Sequence, residues 1–267
     1  MKKILFIAAA TLISASAFAQ TVSSANVVGY SQIELAPGFT VTRMPFVNGT
    51  NSVDIQDAFD VSILQGGTSA GTADNIRFWD PVGLKYDTYF LHDGSGKGNL
   101  ALTDKWIDGG GLIASNVVVQ PSTSFFFSKA GATTITNVFS GDVVIAATGT
   151  NSLELLEGFN LVANPFTADW DLSDTNVDWI AKGAIGGTSA GTADSVKLWD
   201  PVGLKYDTYF LHDGSGKGNL ALTGKWIDGG GLIASNLTVG IGEGLFYSRS
   251  IGSSTLTLEI DQPCTLD

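Results

Sequence analysis

Short runs in which polar and apolar residues alternate recur along the chain, bounded by Gly, Asn, Asp and Pro. In Ile76–Trp79, for example, Ile76 and Phe78 fall on one face and Arg77 and Trp79 on the other. A period of two over about 5–6 residues is typical of β-strands. The same reasoning predicts strands at Gln32–Leu35, Thr40–Met44, Tyr86–Leu91, Asn116–Val119, Ser124–Ser128, Thr133–Val138, Asp142–Ala146 and Thr255–Ile260. We therefore expect an all-β protein.

The chain contains a long internal repeat. Residues 67–116 and 187–236 agree at 45 of 50 positions, without a gap, at an offset of 120. The offset continues on both sides of this block, and the period has the size of a self-sufficient domain rather than of a solenoid unit. We therefore expect two tandem homologous β-sandwich domains, residues 20–147 and 148–267, called here the first and second copy. A β-barrel is the alternative.

The central block is nearly identical in the two copies, whereas the flanks have diverged. Recent gene conversion and selection on a shared surface both explain this difference. We favour conversion, because even the positions in predicted exposed turns are identical.

One short stretch in each copy departs from the strand pattern. Ser52–Leu64 and Ser173–Ala181 carry apolar residues at rough helical spacing. Ser52 and Ser173 are of a type that favours helix N-caps, because the hydroxyl accepts a hydrogen bond from an otherwise unpaired backbone N–H. We therefore expect one short helix in each domain.

Residues 1–19 have the features of a signal peptide. Lys2 and Lys3 precede the apolar run Ile4–Ile13, and Ala17–Ala19 forms a small-x-small cleavage signal. The run is shorter than the ~20 apolar residues that span a bilayer, and no second run of that length follows. We expect export to the periplasm, the cell surface or the medium, with no transmembrane segment after cleavage.

The chain is acidic and has a single cysteine. Its 14 Lys+Arg against 26 Asp+Glu give a formal net charge of −12, which repels phosphate backbones and disfavours nucleic acid as a partner. The 44% of hydrophobic residues and the 33 Gly fit an ordered β protein with many tight turns. Cys264 has no intrachain disulfide partner, so it either has no role or forms an intermolecular disulfide.

Several motifs resemble those of secreted bacterial proteins. Gly158–Phe166, followed by Asp169-Trp170, resembles the Gly-Trp-Asn-Leu-Ile-Gly-Asn-Pro-Tyr segment of secreted β-sandwich modules. Ala25–Tyr30 and Ala114–Val118 are similar to segments of duplicated secreted proteins of the Planctomycetes–Verrucomicrobia group. The resemblance implies a location and a fold, but no chemistry. The first copy departs from the Asn-Pro motif, with Arg43-Met44-Pro45 in its place.

Catalytic chemistry has little support in the sequence. His92 and His212, one in each copy, are the two histidines, and each is followed by an aspartate. A Ser-His-Asp triad needs a serine beside such a pair, but a histidine at the end of a strand is the simpler interpretation. The carboxylates show no spacing that selects an acid/base pair, and Asp beside Gly usually forms turns. We predict that the protein is not an enzyme, with a hydrolase of unfamiliar design as the less favoured alternative.

The loop that follows each histidine loosely matches a calcium-binding loop. Asp93 and Ser95 stand at its first and third positions, but Lys97 stands at the fifth, where an oxygen ligand is needed. A hairpin turn without a cofactor is the interpretation that we favour. The candidate Ca²⁺ ligands are Asp93, Ser95 and Asn99, with Asp213, Ser215 and Asn219 in the second copy.

Aromatic residues that recur in both copies are the candidate ligand-binding residues. They are Trp79, Tyr86, Tyr89 and Trp106, with Trp199, Tyr206, Tyr209 and Trp226 in the second copy. Buried, they supply the cores; exposed, they form two equivalent carbohydrate platforms with avidity for a polymer. Our leading hypothesis is a non-catalytic secreted or cell-surface structural or adhesive protein that assembles with itself through β-edges. The alternative is a carbohydrate-binding module for an extracellular glycan.

Overall fold

The structure, a computed structural model, describes residues 27–49, 52–96, 99–216 and 220–263. The predicted signal peptide and Cys264 lie outside these ranges. The regular elements are strands and a few single 3₁₀ turns, so the prediction of an all-β fold is confirmed. Within the described ranges, no helix is long and apolar enough to cross a membrane.

The described part of the chain contains eighteen strands, nine in each copy. Those of the first copy are β1 Val28–Leu35, β2 Gly38–Arg43, β3 Val53–Asp54, β4 Asn75–Asp80, β5 Lys85–His92, β6 Lys105–Asp108, β7 Val118–Val119, β8 Ser124–Lys129 and β9 Ile135–Asp142. Those of the second copy are β10 Thr150–Leu155, β11 Gly158–Val162, β12 Trp170–Asp171, β13 Ser195–Asp200, β14 Lys205–His212, β15 Lys225–Asp228, β16 Thr238–Val239, β17 Leu245–Arg249 and β18 Leu256–Asp261.

Within the described residues each copy forms one five-stranded sheet and two small ribbons, and all pairings between these strands are antiparallel. The five-stranded sheets have the order β2-β8-β4-β5-β6 and β11-β17-β13-β14-β15. The ribbons are β1-β9 and β3-β7 in the first copy, and β10-β18 and β12-β16 in the second. The strand order is therefore the same in both copies, in a sandwich-like arrangement.

Strand β8 shows why the central strands are so apolar. Phe125 and Phe127 point into the core of the first copy, where the ring of Phe59 lies 6.0 and 5.1 Å from theirs. Phe126, between them, points to the opposite face and belongs to a separate cluster. A sheet that is covered on both faces needs apolar residues at consecutive positions, which β8 supplies.

The prediction of one short helix in each copy is wrong. Ile55–Asp57 and Val61–Ile63 form single 3₁₀ turns, capped by Asp54 and Asp60 rather than by Ser52. In the second copy the segment 173–181 forms turns only. Aspartate carboxylates accept backbone N–H groups two residues ahead, and these local bonds compete with a continuous helix. The strand expected at 142–146 is also absent, because β9 already ends at Asp142.

The two five-stranded sheets pack against each other through a junction cluster, Val41, Phe126, Leu161 and Phe246, with Trp79, Trp199 and Tyr206 packed around it. The contacts are reciprocal. Trp79 Nε1 donates to the carbonyl of Phe159 at 2.7 Å, and Trp199 Nε1 donates to the carbonyl of Phe39 at 2.8 Å. Since these pairs differ by the repeat offset of 120, the copies are related by an approximate twofold axis through the junction.

Arg43 breaks this symmetry, since Ala163 stands at the equivalent position. The buried Arg43 guanidinium donates to the carbonyls of Asn164 and Phe166 in the second copy, and to that of Pro121. Burial lowers the pKa of Arg43 to about 10, against a raising effect of Asp169. The group therefore stays charged at neutral pH. The departure from the Asn-Pro motif in the first copy supplies a cation that holds the junction together.

Candidate functional site

The predicted aromatic residues divide into buried and accessible groups. Trp106 and Trp226 are 0% and 2% exposed and lie in the cores, so their assignment to a surface platform is wrong. On the edge strands β6 and β15 their side chains face inward, toward the ribbons. Tyr89 and Tyr209 are partly buried and pack against the same two cores.

The remaining four aromatic residues meet at the junction. The Trp79 and Tyr86 rings lie 5.0 Å apart, and so do those of Trp199 and Tyr206. Each pair forms between neighbouring strands of one sheet, where the two residues lie directly opposite each other. The packing of the sheets then brings Tyr86 of one copy beside Tyr206 of the other.

Three of these four residues, Tyr86, Trp199 and Tyr206, border an open depression of about 230 Å³ between the copies, which we call the junction depression. It is lined by Phe39, Arg77, Tyr86 and Phe126 from the first copy and by Trp199 and Tyr206 from the second. Tyr86 is the most accessible of its tyrosines, with 41% of its surface exposed, whereas Tyr206 is half-buried. Its walls are therefore mainly aromatic, with one cation.

The polar groups of the junction depression are held in place. Arg77 Cζ lies 4.8 Å from the centre of the Phe39 ring, and Arg77 Nε donates to Asn75 Oδ1 at 3.0 Å. Burial raises the pKa of Tyr86, and burial followed by the nearby Tyr86 raises that of Tyr206. Both phenols are therefore protonated at neutral pH, and their hydroxyls can donate as well as accept hydrogen bonds.

Comparison of the chain with protein-family models, with curated proteins and with solved structures finds no match.

The junction depression is a composite site. Two equivalent platforms, one in each copy, were expected, but Tyr86 and Tyr206 contribute to the same surface. Sequence reasoning identified Tyr86, Trp199 and Tyr206, and it missed Phe39, Arg77 and Phe126. Of these three, only Phe126 has a signal in the sequence: Phe126 and Phe246 stand at equivalent positions of strands with apolar residues on both faces.

The predicted calcium loops form tight turns. Asp93 Oδ1 accepts the backbone N–H of Ser95 at 2.8 Å, and Asn99 Nδ2 donates to the Ser95 carbonyl at 3.2 Å. Hydrogen bonds from Ser95 lower the pKa of Asp93. Asp213 and Ser215 repeat the first contact, and Asn219 lies outside the described residues. In the part of the chain that the structure describes, no three His, Cys, Asp or Glu side chains are grouped to hold a metal ion.

Sequence reasoning missed one pattern with a catalytic association. Residues 67–71 read Gly-Thr-Ser-Ala-Gly, the spacing of a nucleophile elbow, which requires a strand-to-helix turn. Here Ser69 lies in a turn instead, with its Oγ 3.2 Å from Thr72 Oγ1. The buried His92 accepts the Gly94 N–H at Nδ1, at 2.8 Å. Among the described residues no hydrogen bond joins Ser69 to His92, so the geometry is that of a turn rather than of a triad.

Proposed function

We propose that the chain is a non-catalytic exported protein that attaches to an extracellular polysaccharide through the junction depression. The observation that carries this proposal is the convergence of Tyr86, Tyr206 and Trp199 around one open surface. Sugar rings present apolar C–H faces and a rim of hydroxyls. Aromatic side chains with a polar tip match both, because they combine a large apolar area with a hydrogen-bonding group.

The size of the junction depression favours a polymer over a small free ligand. Its volume of about 230 Å³ is below the ~300–1,000 Å³ of pockets that enclose small molecules. Because the depression is open, a polymer chain can run across it and extend beyond it at both ends. The predicted signal peptide supports a location in which such polymers occur.

A glycan array with residues 20–267 tests the proposal. The informative variant is Tyr86→Ala, because Trp79 and Trp199 also hold the junction together through their indole N–H groups. Tyr30→Ala is the matched control, since Tyr30 is 77% exposed on β1, outside the junction depression. We expect binding to at least one polysaccharide, weakened about tenfold or more by Tyr86→Ala, which corresponds to ~1.4 kcal/mol. Absence of binding, or equal binding by both variants, contradicts the proposal.

A second candidate function is self-assembly, and one observation favours it. The β4–β5 and β13–β14 hairpins end in exposed apolar residues, with Val82 81% and Val202 93% exposed. The neighbouring Leu84 and Leu204 are also exposed and have a φ of 50°. A leucine in this left-handed region is uncommon and strained. Apolar tips at both hairpins provide a chain with two points of attachment to other copies of itself.

A further inference from the structure

The two copies carry different side chains at one position next to the outer edge of the five-stranded sheet. Gln56 in the first copy follows Asp54, whose Oδ1 accepts the Gln56 N–H at 2.9 Å. Ser173 in the second copy follows Asp171, whose Oδ1 accepts the Ser173 N–H at 2.8 Å. Both aspartates end the small strands β3 and β12, which pair in the same way with β7 and β16. Gln56 and Ser173 therefore start from the same place in the fold, although their side chains differ in length.

In the first copy the Gln56 carboxamide binds the outer side of edge strand β6. Gln56 Oε1 accepts the backbone N–H of Trp106 at 3.1 Å. Its Nε2 donates to the carbonyls of Trp106 at 2.8 Å and of Ala114 at 3.4 Å. A single amide thus satisfies three backbone groups at the edge of the sheet.

In the second copy no carboxamide reaches the corresponding strand, β15. The Ser173 hydroxyl donates to Asp171 Oδ1 at 2.6 Å, and its oxygen lies 3.2 Å from the Ser235 carbonyl oxygen. Leu211, the partner of Trp226 in β14, donates its N–H to the Asp194 carbonyl on its other side, so the backbone N–H of Trp226 points away from β14. Within the described part of the chain, this N–H of Trp226 has no hydrogen-bond acceptor. The edge of β15 therefore offers the backbone N–H of Trp226 as a donor, whereas the equivalent N–H of Trp106 in β6 is already bonded to Gln56.

A cavity of about 140 Å³ opens at this place, and we call it the carboxamide cavity. Its lining includes Ser173, Asp174, Trp179, Trp226 and Ala234. Ala234 is partly exposed, whereas its counterpart in the first copy is buried. Since a water molecule takes about 30 Å³ in the liquid, the cavity has room for a group of several heavy atoms.

We propose that the carboxamide cavity is a second ligand site, which takes the acetamido group of an N-acetylated sugar. Its carbonyl accepts the Trp226 N–H, its N–H donates to the Trp226 or Ala234 carbonyl, and its methyl group packs against Trp179. The amide specificity follows from the bonds that Gln56 makes in the first copy. The choice of a sugar as the bearer rests on the proposed function, and the carboxylate of Asp174 at the cavity suits sugar hydroxyls.

Amide resonances measured by ¹⁵N–¹H correlation NMR test this site directly, with N,N′-diacetylchitobiose as the probe and cellobiose as the control sugar. We expect saturable shifts of the Trp226 and Ala234 amides with the acetylated probe alone. The equivalent Trp106 and Ala114 amides stay in place, because Gln56 occupies their site. Ser173→Gln abolishes the response by placing a carboxamide in the cavity, and Gln56→Ser creates a second responding site at Trp106.

Three outcomes overturn the proposal: no saturable shift at Trp226, an unchanged response in Ser173→Gln, or equal shifts with cellobiose. A response to a Gln-containing peptide with none to the sugar overturns the assignment of the bearer. Tyr86→Ala, which alters the junction depression only, is expected to leave the Trp226 response intact. Failure of this site and failure of the proposed function are therefore distinguishable.

Discussion

At the scale of single residues, the junction is held by side chains that bond to the other copy. Arg43 and Ala163 occupy equivalent positions, but only the arginine reaches across to carbonyls of the other copy. A buried guanidinium without a carboxylate partner is costly unless its donors are satisfied. The two terminal nitrogens of Arg43 meet that requirement with the carbonyls of Pro121, Asn164 and Phe166, whereas its buried Nε has no hydrogen-bond partner among the described residues.

We predict that Arg43→Met destabilises the protein by about 2–4 kcal/mol. The substitution keeps apolar volume but removes the donor to three carbonyls, and hydrogen bonds to charged groups contribute about 1.5–3 kcal/mol. Urea denaturation followed by tryptophan fluorescence measures the change. Lys205→Met is the control, because its ion pair with Asp207 is solvent-exposed and we expect no measurable effect. Equal midpoints for the two variants would show that Arg43 does not hold the junction.

At the scale of elements, the alternation of residues predicts strands well but not which face of a strand meets solvent. The strands β4 and β5 have apolar residues on both faces, since one face meets the ribbons and the other meets the second copy. Trp79 and Trp106 therefore look alike in the sequence, although one is partly accessible at the junction and the other is fully buried. The helix predicted in the first copy does not form for a local reason, because Asp54 and Asp60 each cap a single 3₁₀ turn.

The hairpin tips are the elements that test self-assembly. We predict that Leu84→Asn combined with Leu204→Asn removes any self-association, because it replaces two exposed apolar side chains. The variant also relieves strain, since asparagine tolerates a positive φ better than leucine does. Sedimentation equilibrium at increasing concentration measures the effect. A wild-type chain that stays monomeric throughout, or a variant that associates like the wild type, contradicts a role of the hairpins in assembly.

At the scale of the whole molecule, two similar copies build one composite surface. The approximate twofold axis places Tyr86 and Tyr206 side by side, and the depression opens on the side of Phe39 and Arg77. On the opposite side, Lys197 lies 4.4 Å from the centre of the Phe159 ring, in a repeat of the contact between Arg77 and Phe39. The sequence identified aromatic residues in each copy as candidate ligand-binding residues. Their convergence depends on how the sheets pack, which the alternation within one strand does not encode.

Binding stoichiometry tests the composite site most directly. Isothermal titration calorimetry with the shortest oligosaccharide that the array identifies is performed in the Ser173→Gln background, so that the carboxamide cavity does not contribute. We predict one ligand per chain, with Tyr86→Ala and Tyr206→Ala each weakening the whole of the binding about tenfold or more. Two ligands per chain, with each variant removing only one of them, would instead show two independent sites and contradict a single site shared by the copies.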